Sequence, residues 1–79
     1  MSPGELAKLI RMANQIAVAF ESQGGDAADD TAAHLKAFWP WPMREAIMRH
    51  LAGGGANLSR AARKAIAALA ASDPPGSRT

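Results

Sequence analysis

The sequence predicts an all-α protein, a small bundle of three to four short helices with a disordered C-terminal tail. Three observations carry that prediction. Apolar residues recur at helical spacing through most of the chain. No segment alternates apolar and polar residues with the period of a strand. Residues that start or stop helices divide the pattern: Ser2-Pro3, Gly24-Gly25, Pro40, Pro42, Gly53-Gly54-Gly55 and Ser59.

The first helix opens on Ser2-Pro3-Gly4-Glu5. This has the form of a capping box, with proline at the first helical position and glutamate three residues after the serine. Leu6, Leu9, Ile10, Ala13, Ile16, Ala17 and Phe20 then form one apolar stripe, with Lys8, Arg11 and Gln15 opposite. Val18 falls on the polar side. The second helix starts near Asp26. Asp26, Asp29 and Asp30 crowd its N-terminal end and Lys36 lies near its C-terminal end, as the helix dipole favours. Its apolar face is read as Ala28, Ala32, Leu35, Phe38 and Trp39. Pro40 stops it, because proline disfavours helical geometry in the residue before it.

Pro42 is placed at the first position of the third helix. Met43, Ala46, Ile47, His50 and Leu51 share one face there, Arg44 and Met48 lie to one side, and the three glycines end the helix. Ser59 is the expected N-cap of the fourth, whose stripe is Leu58, Ala62, Ala65, Ile66 and Leu69 and whose outer side carries Arg60, Arg63 and Lys64. The expected organisation is one helical domain over residues 1–71 and a flexible tail over residues 72–79.

Size limits what such a domain can do alone. A single core in 79 residues rarely supplies more than about 3–5 kcal/mol. Nineteen alanines make up much of the hydrophobic fraction, so large core residues are few. Burial against a partner is expected on size alone. The chain has no cysteine, which rules out disulfides, thiol catalysis and cysteine-ligated metal clusters. No stretch approaches the roughly 20 apolar residues of a membrane span. No secretory signal opens the chain, and a cytoplasmic location is expected. Residues 40–79 carry six basic and two acidic groups, a local charge of about +4. That basic half supports an alternative reading, a free-standing small helical regulator that binds nucleic acid.

Candidates for chemistry are sparse. His34 and His50 are the only imidazoles, too few for a metal site without further ligands. The aspartates near residue 26 are explained by the helix start they occupy. No nucleophile elbow or phosphate-binding glycine loop is present. What stands out instead is the corner Phe38-Trp39-Pro40-Trp41-Pro42-Met43-Arg44, which holds both tryptophans and one of the two phenylalanines. Trp and Arg are enriched among residues that dominate binding energy at interfaces. Phe38 and Trp39 are expected to close the core, and Trp41 and Arg44 to face a partner. Met12, Asn14 and Val18 could add a second contact edge.

Leu9-Ile10-Arg11-Met12-Ala13-Asn14-Gln15-Ile16-Ala17, Ala33-His34-Leu35 leading to Phe38-Trp39, Met43-Arg44, and His50-Leu51-Ala52-Gly53-Gly54 come in an order and spacing that resembles the delta subunit of the cytoplasmic NAD-dependent formate dehydrogenases. The resemblance covers roughly residues 6–70. It departs at Trp41-Pro42, where that family usually has a proline and then a basic residue. The resemblance implies a non-catalytic accessory subunit that docks on the catalytic alpha subunit and supports assembly, stability or maturation. It implies no cofactor in this chain. The bis-pterin molybdenum or tungsten cofactor, iron–sulfur clusters, flavin and NAD would belong to the alpha, beta and gamma subunits. Trp41, Arg44, Trp39, Met43, His50, Asn14 and Met12 are the expected partner-binding residues.

Overall fold

The structure, a computed structural model, describes residues 2–74. Four helices follow one another: α1 (Pro3–Gln23), α2 (Ala27–Phe38), α3 (Trp41–Ala52) and α4 (Arg60–Ser72). No strand occurs among the described residues, so the all-α expectation holds. The predicted tail beyond residue 74 lies outside the described residues.

Local chemistry sets each boundary. The Ser2 hydroxyl accepts from the Glu5 amide at 3.2 Å, one half of the predicted capping box. Gly24 and Gly25 both take positive φ, at 77° and 82°, which turns the chain sharply between α1 and α2. The Asp26 carboxylate caps α2 by accepting from the Asp29 amide at 3.1 Å. At the other end Trp39 is extended, with ψ 130°, as a residue preceding proline should be. The next helix begins one residue earlier than its proline suggests: Pro40 is the cap and Trp41 the first helical residue. Ser59 caps α4 as expected, its hydroxyl accepting from the Ala62 amide at 3.1 Å.

The hub of the bundle is α4. It packs most extensively on α2 and also against α1 and α3, while α1 and α3 make the slightest of the main contacts. Ala13 and Ala17 of α1 and Ala62 and Ala65 of α4 are fully buried. Small side chains at these positions let helices approach closely. Around them Leu9, Ile10, Leu35, Trp39, Ile47, Met48, Leu58, Ile66 and Leu69 complete the core.

Two expectations change here. Phe38 does not close the core: it is 72% exposed, whereas Trp39 is 6% exposed. Leu35 and Trp39 lie four residues apart on one line of α2, and Phe38 is turned about 100° from Trp39. Only one of the two rings can point inward. Met48, assigned to the flank of α3, is buried. Ser72 ends α4, and Asp73, its C-cap, is buried.

Candidate functional site

The loop from Gly53 to Ser59 gathers several of the residues singled out by sequence. It leaves α3 through Gly54 (φ 123°), Gly55 (φ 65°) and Asn57 (φ 69°). Its amides at Gly53, Gly54, Gly55 and Leu58 bond backbone carbonyls, and side chains from three helices serve its own carbonyls. From α4, Arg63 donates to the Gly54 and Gly55 carbonyls, each at 2.9 Å. From α3, His50 donates through Nε2 to the Ala56 carbonyl at 2.8 Å, which requires the proton on Nε2. From α1, Asn14 donates through Nδ2 to the Asn57 carbonyl at 2.9 Å and accepts the Ser59 amide on Oδ1 at 2.8 Å. Four successive carbonyls, Gly54 to Asn57, are thus each held by a side chain. By gripping the residues on either side, Asn14 seats Leu58 in the core.

A second construction lies at the Trp41 corner. Arg44 is 9% exposed and its Nη1 bonds the Asp73 carboxylate at 2.6 Å, which joins the start of α3 to the end of α4. The Arg44 guanidinium carbon stands 5.4 Å from the centre of the Trp41 ring. Trp41 is half-buried and packs on the core. Two buried polar atoms have no hydrogen-bond partner among the described residues, Arg44 Nε and Thr31 Oγ1.

The predicted contact residues therefore separate. Asn14, His50 and Arg44 face inward to intramolecular partners, and Trp39 is core. Asn14 and Arg44 were expected to face a partner because helical position alone left one off the apolar stripe and the other at a corner, and the residues that claim them lie far off in sequence; Trp39 closes the core as expected. Met12 and Met43 come together: both are half-buried and line one groove between α1 and α3 with Glu5, Lys8 and Leu9. Trp41 does not line this groove and is turned toward Arg44. Arg63, Gly55 and Asp73 are participants that sequence reasoning missed. The signal for Gly55 was its place in a glycine run. Asp73 gave none, because it sits in tail-like composition.

One cluster was not anticipated. Phe20, His34 and Phe38 form a row of rings, with centroids 6.0 Å apart from Phe20 to His34 and 4.8 Å from His34 to Phe38. The i, i+4 spacing of His34 and Phe38 was its available signal. The turn beside it is acidic. The Asp29 carboxyl is raised above its ordinary 3.8 chiefly by the charge of Asp26, with desolvation, a hydrogen bond to Asp26 and the charge of Asp30 adding to it.

The basic side of α4 is partly spent. Arg63 serves the loop, and Arg60 and Lys64 line a cleft shared with Glu21 and Asp26, where opposite charges offset one another. No group of His, Asp or Glu able to hold a metal ion occurs among the described residues. No helix among them is long and apolar enough to cross a membrane.

Fold and site together define a small cysteine-free helical module whose distinctive polar residues hold its own architecture. A family model described as the NADH-dependent formate dehydrogenase delta subunit, FdsD, matches residues 8–66, and the chain belongs to that family. No curated protein and no solved structure matches it.

Proposed function

We propose that this chain is a non-catalytic accessory subunit of a formate dehydrogenase complex and that it docks on the catalytic alpha subunit to support assembly, stability or maturation. Membership of the delta-subunit family over residues 8–66 carries the reading. The composition agrees with it, since a chain without cysteine offers no thiolate for an iron–sulfur cluster or a metal. So does the small size, which makes burial against a partner a gain in stability. The molybdenum or tungsten cofactor, the clusters, flavin and NAD then belong to the alpha, beta and gamma subunits, and the location is cytoplasmic.

Co-purification tests the proposal. A tagged copy expressed with the complex should bring down the molybdopterin-containing subunit, and cells lacking the chain should yield less assembled, active enzyme. Recovery of the tagged chain with no such subunit, together with unchanged enzyme yield in its absence, overturns the proposal.

A further inference from the structure

We draw no further inference here: the strongest candidate, the groove between α1 and α3 lined by Leu9, Met12 and Met43 with Glu5 and Lys8, carries nothing because nothing in the structure shows what covers it.

Discussion

Asn14 shows how much one side chain can hold when both ends of its amide are used. Its donor and acceptor engage residues 57 and 59, more than forty positions away, and fix Leu58 between them. Asn14→Ala removes both bonds. At about 0.5–1.5 kcal/mol each, the loss should be about 1–3 kcal/mol, read as a lower midpoint in urea unfolding. Asn14→Asp keeps the acceptor for the Ser59 amide but sets a carboxylate oxygen against the Asn57 carbonyl, so it should be no better than alanine. A variant as stable as wild type would mean that water replaces the amide at no cost. The run containing Asn14 was conspicuous in the sequence, yet its role was not legible there. Helical periodicity places a residue on a face of its own helix and says nothing about which distant loop returns to meet it. The same blindness put Arg44 on the outside and hid the carbonyl that His50 meets.

Among the elements, the helices were the legible part and the α3–α4 loop was not. Serine and aspartate caps and paired glycines marked the ends of α1, α2 and α4 to within a residue or so, because those signals act within one turn. The Gly53-Gly54-Gly55 run read as a stop, whereas its last residue is also a site of close packing. A Cβ on Gly55 would lie 3.0 Å from both Arg63 Nη1 and Leu51 Cδ1, at a φ of +65° that disfavours a side chain. Gly24→Ala provides the comparison, since φ there is +77° but nothing lies within 4 Å of the added carbon. Gly24→Ala should cost about 1 kcal/mol from backbone strain alone. Gly55→Ala should cost about 1–2 kcal/mol more, because it also displaces Arg63 from the carbonyls it serves. The difference between the two thermal midpoints checks this, and equal losses would show that the Arg63 head simply swings aside.

For the whole molecule, the question is what holds the two ends of a small bundle together, and the Arg44–Asp73 pair is part of the answer. Its side chains are only 10% and 11% exposed, so the Arg44 guanidinium depends on the Asp73 carboxylate to neutralise it. Breaking such a pair from one side leaves a buried charge and costs about 3–5 kcal/mol, comparable to the whole stability expected of a domain this size. Asp73→Ala should therefore leave the isolated chain largely unfolded at room temperature, as should truncation after Ala71, which removes the same carboxylate. The double variant Arg44→Met with Asp73→Ala removes both charges, so it should be more stable than Asp73→Ala alone. That non-additivity separates a buried pair from two independent surface residues. Circular dichroism melts of the four chains decide the matter. If truncation after Ala71 melts like the full chain, Asp73 contributes nothing to the fold. Arg44 would then be available to face a partner, as its place beside Trp41 first suggested.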